Sequence, residues 1–292
     1  MSSRVAILEA KRTPIGKFLG AFSNYPAVKL GAHVAREVLN LSGTQPGSVD
    51  EVIFGHARQA GCGPNPARQM MVSAGVPVSV TAMTVNAACG SGMKSIALAA
   101  DAIRLGRANL VLAGGMENMT MVPFMLDRAR EGYRLGHAKM IDGMYRDGFV
   151  CPICDMVMGE TAEVLAEEFK ITRDEQDGWA VLSQNRVERA NAKNLFAGEI
   201  VPVQVPGNRG ETVTVTADEH PRAGVTLEAL AKLPAVFKKP GTVTAGNSSG
   251  ITDGAAAVVV ASERAAADSG RTPLGWIRDF VAVGVDPRRM GI

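Results

Sequence analysis

Residues 82–105 read AMTVNAACGSGMKSIALAADAIRL, in which a predicted strand (Ala82–Asn86) passes through a short turn into a predicted helix (about Ser91–Leu105). A cysteine at the start of a helix faces unpaired backbone N–H groups and the positive end of the helix dipole, which favour the thiolate. The glycines beside Cys89 leave room for a bulky thioester, and its own N–H can face a developing oxyanion. The pattern predicts a nucleophilic Cys89. Taken alone, it fits a small buried cysteine at a tight turn equally well.

Strands and helices alternate on both sides of this turn. The neighbouring predicted elements are a strand at Val5–Glu9, a helix at Ala27–Leu39, a strand at Glu51–Phe54, a helix at Pro66–Ala74 and a strand at Leu110–Ala113 that ends at Gly114-Gly115. Alternation at these lengths predicts an α/β layer around a largely parallel sheet.

The character of the sequence changes after Gly115. Methionines, charges and irregular stretches dominate as far as about Asn247, with one strong helix that begins at the capping box Thr172-x-x-Glu175. Alternation at Thr212–Thr216 predicts an exposed strand. Regular α/β patterning returns at Ala255–Ser262, so the intervening region is interpreted as an inserted, lid-like domain. A further predicted strand, Leu274–Val283, begins a second sheet.

Composition limits the class of protein. The chain has 292 residues, of which 46% are hydrophobic and 21% charged, and its net charge is +2. These values exclude a disordered chain and give no global field that would attract nucleic acid or anionic lipid. No signal peptide is recognisable, and no apolar run is long enough to span a bilayer. We therefore expect a cytoplasmic protein with reduced thiols, no nucleic-acid partner and no membrane partner.

The pair Cys151 and Cys154 suggests zinc or redox chemistry, but neither is expected. A zinc site needs two further ligands, and a thioredoxin-like site needs its own β-α-β context. The four histidines show no ligand spacing, so no metal is predicted.

The chain as a whole resembles the thiolase family. The paired signature at residues 86–94 and 112–119 carries the resemblance, and further matching blocks follow in the same order at residues 12–16, 158–163, 242–250, 253–256 and 283–287. The resemblance implies a layered α-β-α-β-α fold made of two similar halves. It assigns residues 1–118 and 248–270 to the N-terminal half, 119–247 to an inserted loop domain that binds coenzyme A, and 271–292 to the start of a second half that is largely absent.

The resemblance also implies the chemistry. Cys89 would accept the acyl group, in condensation of two acetyl-CoA to acetoacetyl-CoA or in the reverse thiolysis of 3-ketoacyl-CoA. Coenzyme A thioesters would be substrates, and no cofactor is expected. The residues that would bind coenzyme A are Arg222 near the nucleotide and Met158, Phe237, Ala245 and Ser249 along the pantetheine. Without the resemblance, Arg222 fits a solvated surface charge better. Val157 stands where some biosynthetic thiolases carry a histidine, and Ala229 stands where a serine that contacts coenzyme A is often found.

Thiolases also need a histidine in a Gly-His-Pro context, a second cysteine in a glycine-rich context and an asparagine, and none of these motifs occurs here. We therefore expect activity only together with a chain that supplies the C-terminal half. The alternative is a non-catalytic, truncated thiolase-like subunit that binds acyl-CoA or assembles with partners. Family members are commonly homo-oligomers, so a dimer or tetramer is expected.

Overall fold

The central element of the structure is a seven-stranded sheet. A computed structural model describes residues 4–207 and 210–292. The strands are β1 (Val5–Arg12), β2 (Gly16–Lys17), β3 (Glu51–Gly55), β4 (Thr81–Val85), β5 (Leu110–Asn118), β6 (Phe124–Leu126), β7 (Met140–Asp142), β8 (Val150–Cys151), β9 (Met156–Val157), β10 (Val203–Pro206), β11 (Thr212–Val215), β12 (Thr252–Ser262) and β13 (Gly275–Ile277). The α-helices are α1 (Ala27–Ser42), α2 (Pro66–Ser73), α3 (Ser91–Arg104), α4 (Met158–Glu168), α5 (Arg173–Ala192), α6 (Leu227–Ala231) and α7 (Glu263–Asp268). In the described ranges, none of the helices has the length and apolar character needed to cross a membrane.

The central sheet is mixed. Its strand order is β13-β1-β12-β5-β3-β4, with β2 paired to β12. Strand β3 runs parallel to β4 and β5, whereas β12 runs antiparallel to β1, β2 and β5. The prediction of a largely parallel sheet is therefore wrong. Strand β12 enters between β1 and β5 after a long excursion of the chain, without the helical crossover that joins parallel neighbours.

Glycine lets β12 lie close to β5. A Cβ atom at Gly114 would stand 2.2 Å from the carbonyl oxygen of Ala256, so no other residue fits there without a shift. The prediction that the strand ends at Gly114-Gly115 is wrong, because these glycines are part of the strand. The glycines serve close packing between strands, and β5 continues through them to Asn118.

Helices cover both faces of this sheet. Successive side chains of a strand point to opposite faces. On β3, Val52 and Phe54 belong to the core that includes α1 and α2, whereas Ile53 belongs to the core beneath α3. The sheet with its two helical layers supplies three layers of the predicted α-β-α-β-α arrangement.

Helix α1 shows how the sequence specifies these layers. Leu30, Val34 and Val38 recur every four residues, and each is fully buried. Burial of each such side chain contributes about 2 kcal/mol. The helix ends where Gly43 adopts a left-handed conformation with φ of 67°.

Two compact units are present. The first, the sheet unit, consists of residues 1–122, 197–219 and 252–281; the second, the helical unit, consists of residues 123–196, 220–251 and 282–292. The domain boundaries implied by the family resemblance are not the same as these units, and they remain a prediction.

Within the sheet unit, the strand predicted at Leu274–Val283 is much shorter. Only Gly275–Ile277 forms a strand, and it pairs antiparallel with β1 at the sheet edge. The prediction that it begins a second sheet is wrong, because β1 offers an open edge beside it. The predicted strand at Thr212–Thr216 is confirmed as β11, which pairs with β10.

Within the helical unit, the predicted capping box is confirmed. Thr172 accepts a hydrogen bond from the backbone N–H of Glu175, and the Glu175 carboxylate accepts one from the backbone N–H of Thr172. The fully buried side chain on α5 is a carboxylate, Asp177, while Trp179 is largely exposed.

Candidate active site

The turn that carries Cys89 lies between β4 and α3 and is held by two neighbouring side chains. Asn86 Oδ1 accepts a hydrogen bond from the backbone N–H of Ala88 (3.0 Å), and Ser91 Oγ accepts one from that of Ala87 (2.9 Å). Ala88 has a φ of 49°, in the left-handed region that disfavours any residue with a Cβ atom. Such strain costs on the order of 1 kcal/mol and persists where the surroundings enforce it. The result is a sharp turn with an exposed Cys89 at its tip.

Glycines allow the start of α3 to lie against the ends of two strands. A Cβ at Gly55 would stand 2.4 Å from the carbonyl carbon of Ser91, and one at Gly115 would stand 3.2 Å from Cα of Gly92. Ser95, one turn into α3, fastens the helix to β5 because its hydroxyl accepts a hydrogen bond from the backbone N–H of Gly114 (3.0 Å). These contacts fix the position of the turn relative to the sheet.

The thiol of Cys89 is accessible but has no base beside it in the described part of the chain. No hydrogen bond or ion pair reaches its sulfur there. It stands immediately before Gly90, the N-cap of α3, where the helix dipole favours negative charge. This arrangement can present a nucleophile to a substrate, and activation of the thiol needs a further group.

Histidines in the sheet unit have other partners. His56 is buried, and its Nε2 lies 3.1 Å from Oε1 of Glu117 at an angle outside that of a hydrogen bond. Glu117 also accepts a hydrogen bond from the backbone N–H of Ala57 (2.9 Å). His33 Nε2 lies 2.8 Å from the carbonyl oxygen of Pro202. Both rings therefore have local structural contacts.

The remaining cysteines differ in acidity. Burial raises the pKa of Cys62, and the nearby Glu117 carboxylate raises it further. Hydrogen bonds from the backbone N–H groups of Cys154 and Ile153, together with the Cys154 thiol, lower the pKa of Cys151. The pKa of Cys154 is raised by desolvation and by its contact with Cys151. The sequence had singled out Cys151 and Cys154 as a pair, but it did not indicate the opposite directions of their pKa shifts, which depend on the hairpin of β8 and β9. Across the described ranges no three His, Cys, Asp or Glu side chains cluster as a metal site would require.

Two of the predicted coenzyme A residues lie near the start of α4 in the helical unit. Met158 is the first residue of α4, and the ring of Phe237 packs on the next residue, Gly159, where a Cβ would stand 2.2 Å from the ring. Ala245 and Ser249 are exposed on the loop at residues 242–250. Arg222 is also exposed, and its backbone N–H donates to Oε1 of Gln184 on α5 (2.9 Å).

Buried carboxylates position that loop, and sequence reasoning missed them. Glu163 on α4 is 3% exposed and accepts hydrogen bonds from the backbone N–H groups of Thr242 and Val243, each at 2.7 Å. Asp177 on α5 accepts one from the amide of Asn247 (2.9 Å). Glu163 and Asn247 both lie inside sequence blocks that carried the family resemblance. The sequence therefore marked these residues, but it did not show that they anchor the loop.

In the sheet unit, Asp253 is a third carboxylate that was missed. It is fully buried and accepts hydrogen bonds from the backbone N–H of Met119 (2.8 Å) and the hydroxyl of Thr120 (2.6 Å). Burial raises the pKa of Asp253, and the hydrogen bonds from Thr120 and Met119 oppose that rise. The residue secures the segment that follows β5.

Comparison with known proteins gives consistent matches. The family model described as thiolase, N-terminal domain, matches residues 5–264. A Pseudomonas aeruginosa protein named acetyl-CoA acetyltransferase is 48% identical over 288 residues, which are 99% of this chain and 73% of that protein. A protein of the same name from Cupriavidus necator is 47% identical with the same coverage. The crystal structure of the Bacillus anthracis acetyl-CoA acetyltransferase superposes with a TM-score of 0.97 at 42% identity, covering all of this chain and 73% of that one.

Proposed function

The chain belongs to the thiolase family, and from this premise we propose that it transfers acyl groups between coenzyme A thioesters through a thioester on Cys89. The observation that carries the proposal is the exposed thiol at the tip of a strained turn, beside the start of α3. The names of the Pseudomonas and Bacillus relatives support acetyl-CoA as the acyl donor.

In the proposed reaction, Sγ of Cys89 attacks the thioester carbonyl of acetyl-CoA. The new carbon–sulfur bond forms, the bond to the sulfur of coenzyme A breaks, and coenzyme A leaves with the proton. A second acetyl-CoA then loses a proton from its α-carbon, and the carbanion attacks the thioester on Cys89. The products are acetoacetyl-CoA and the free thiol, and thiolysis of a 3-ketoacyl-CoA follows the same steps in reverse.

Coenzyme A binding is proposed for the helical unit. Met158, the first residue of α4, and Phe237, whose ring packs on Gly159, would contact the pantetheine together with Ala245 and Ser249. In the described part of the chain the guanidinium of Arg222 has no ion-pair partner, so it is available to a phosphate of the nucleotide. The hydrogen bonds of Glu163 hold the loop that carries Ala245, which supports a preformed surface.

Turnover is proposed to require polypeptide in addition to the described residues. The sulfur of Cys89 has no base bonded to it there, and the relatives are longer than this chain, which spans 73% of the Pseudomonas protein. General acid–base assistance contributes about 10²–10⁴-fold to rate. The lack of a base bonded to Cys89 in the described residues also favours a second candidate function. This candidate is a non-catalytic subunit that binds acyl-CoA or assembles with longer partners.

Self-association into a dimer or tetramer is also proposed. Strand β4 is the last strand on its side of the sheet, and Met83 on it is 42% exposed. Open edges of this kind pair readily with a second chain. The four free thiols fit a reducing compartment, so a cytoplasmic location is proposed as well.

The proposal is tested by incubating the chain with isotopically labelled acetyl-CoA, alone and with a polypeptide that carries the remaining quarter of the Pseudomonas relative. We expect label on the peptide that contains Cys89, acetoacetyl-CoA formation in the mixture, and at most trace turnover by the chain alone. Cys89→Ala abolishes labelling and turnover, whereas the matched variant Cys62→Ala retains both. Label on another residue, or turnover by Cys89→Ala, contradicts the proposal. Association of the two polypeptides without turnover favours the non-catalytic subunit.

A further inference from the structure

The sheet unit contains a cavity of about 310 Å³ outside the Cys89 turn. Its walls are formed by the first turn of α1, by the loop at residues 58–62 that follows β3, and by residues 118–122 after β5. Small-molecule sites start at about this size. The family resemblance assigns no role to any of these walls.

A buried cation faces this cavity without a counter-ion. Arg58 is 9% exposed and lines the cavity, and its Nε is buried without a hydrogen-bond partner. Among the residues that the structure describes, no carboxylate forms an ion pair with its guanidinium. A cation that is nine-tenths buried loses much of its hydration, and no ion pair within the described part of the chain offsets that loss here. Such an arginine is typical of a site that an anion completes.

The start of α1 adds positive potential to the same cavity. The helix has 16 residues, its N-cap is Pro26, and no side chain caps it. Its first turn contains no acidic residue, and Ala27 and Val28 of that turn line the cavity. Uncapped N–H groups at a helix N-terminus bind phosphate and carboxylate groups.

A second cation, Lys29, lines the cavity as well, with its Nζ 6.0 Å from the centre of the Tyr25 ring. A lysine in the first turn opposes the helix dipole, so it is poorly placed unless an anion lies nearby. Among the described residues, the side chains that face the cavity include no carboxylate. Glu117 does not line it and already accepts hydrogen bonds from the backbone N–H groups of Ala57 and Arg58.

We infer that this cavity binds a small molecule through its phosphate or carboxylate group, with Arg58, Lys29 and the N-terminus of α1 as the anion-binding elements. The volume exceeds that of a bare anion, and Ala60, Met121 and Val122 give it apolar walls. The ligand therefore carries a short apolar part beside its anionic group. A dianionic phosphate is bound more tightly than a carboxylate, because it faces two cations and a helix N-terminus.

Isothermal titration calorimetry of the chain with four probes tests this inference. The probes are inorganic phosphate, n-butyl phosphate, acetate and butyrate, so that the anionic group and the apolar part vary separately. We expect butyl phosphate to bind more tightly than inorganic phosphate, and butyrate more tightly than acetate. The tighter of butyl phosphate and butyrate identifies the anionic group. No binding by any probe at millimolar concentration overturns the inference.

Two variants assign the binding to the cavity. Arg58→Gln weakens binding at least about tenfold, because a charge-assisted hydrogen bond is lost. Val28→Asp places a carboxylate at the first turn of α1 and abolishes binding, and it keeps the assay decisive should Arg58→Gln fail to fold. The matched controls are Arg107→Gln and Val78→Asp, at exposed positions outside the cavity walls. Circular dichroism verifies each fold.

Unchanged affinity in both cavity variants overturns the inference. It is also overturned if another copy of the chain fills the cavity. In that case Val28→Asp lowers self-association in sedimentation experiments, and butyl phosphate does not bind.

Discussion

The turn at Cys89 and the loop at residues 242–250 are both irregular, yet they are held in place in different ways. The turn is fixed by Asn86 and Ser91, which bond backbone groups two and four residues away. The loop is fixed by Glu163 and Asp177, which lie 79 and 70 residues before the groups they hold. A functional turn can thus be specified by neighbouring residues, whereas a binding loop can depend on anchors from distant helices.

The largest effect is expected from removal of the distant anchor, Glu163. Glu163→Ala removes the acceptor for the N–H groups of Thr242 and Val243, of which the second is buried, and lowers the free energy of unfolding of the helical unit by about 3 kcal/mol. Urea unfolding measures this loss in a Trp276→Phe background, because Trp179 is then the remaining tryptophan of the chain and lies in the helical unit. Glu167→Ala, four residues further along α4 at an exposed ion pair, changes the value by less than about 0.5 kcal/mol. Equal effects of the two variants would show that Glu163 does not anchor the loop.

A smaller loss is expected where the sheet supports the Cys89 turn. Gly55→Ala forces a Cβ into the backbone of Ser91, which lies 2.4 Å away, and lowers stability by about 2 kcal/mol. It also displaces Cys89, so acyl labelling by acetyl-CoA slows. Gly47→Ala, which meets no atom within 4 Å, is the control and is expected to be neutral. Normal labelling by Gly55→Ala would show that the close approach does not position the turn.

Relief of the backbone strain at Ala88 is expected to raise the stability of the sheet unit. Ala88→Gly accepts the left-handed conformation at φ of 49° without a Cβ penalty and raises stability by about 1 kcal/mol. Ala87→Gly has no such strain to relieve and lowers stability by about 0.5 kcal/mol. Urea unfolding in a Trp179→Phe background measures both, since Trp276 then reports on the sheet unit. A loss in both variants would mean that the turn is unstrained.

The smallest expected effect concerns reactivity at a third kind of turn, the one between β8 and β9. Because its pKa is lowered, Cys151 holds a larger thiolate fraction at a given pH, so alkylation by iodoacetamide persists to lower pH than at Cys62, whose pKa is raised. Cys154→Ala removes one donor to the thiolate and slows the alkylation of Cys151 at neutral pH, whereas Cys62→Ala leaves it unchanged. Peptide mass spectrometry measures each rate, and identical pH profiles for Cys62 and Cys151 would refute this prediction.

Local patterns predicted the elements that depend on local physics. Helices α1 and α3 and strands β3 and β4 were located within a few residues, because apolar periodicity and capping signals lie inside each segment. The Cys89 turn was recognised for the same reason. Its role as the acyl acceptor and the coenzyme A contacts stay predictions.

Features that depend on distant partners were not accessible from the sequence. The antiparallel placement of β12 follows from which strands it meets, and β13 is short because it ends where its pairing with β1 ends. Likewise, nothing near Arg58 in the sequence indicates that its side chain is buried beside the start of α1. A pattern read along one segment carries no information about the partner that completes it.

Strand β1 pairs with β12 so that Val5 lies opposite Ser262. During synthesis, about 260 residues therefore follow the start of β1 before the whole of its partner strand exists. Domains form as their chain emerges, at about 5–20 residues per second. Strands β3, β4 and β5 with α3 are closer in sequence and can assemble earlier, because short loops close at a lower entropic cost. The apolar first half of β1 thus stays without its partner β12 in the nascent chain until late in synthesis.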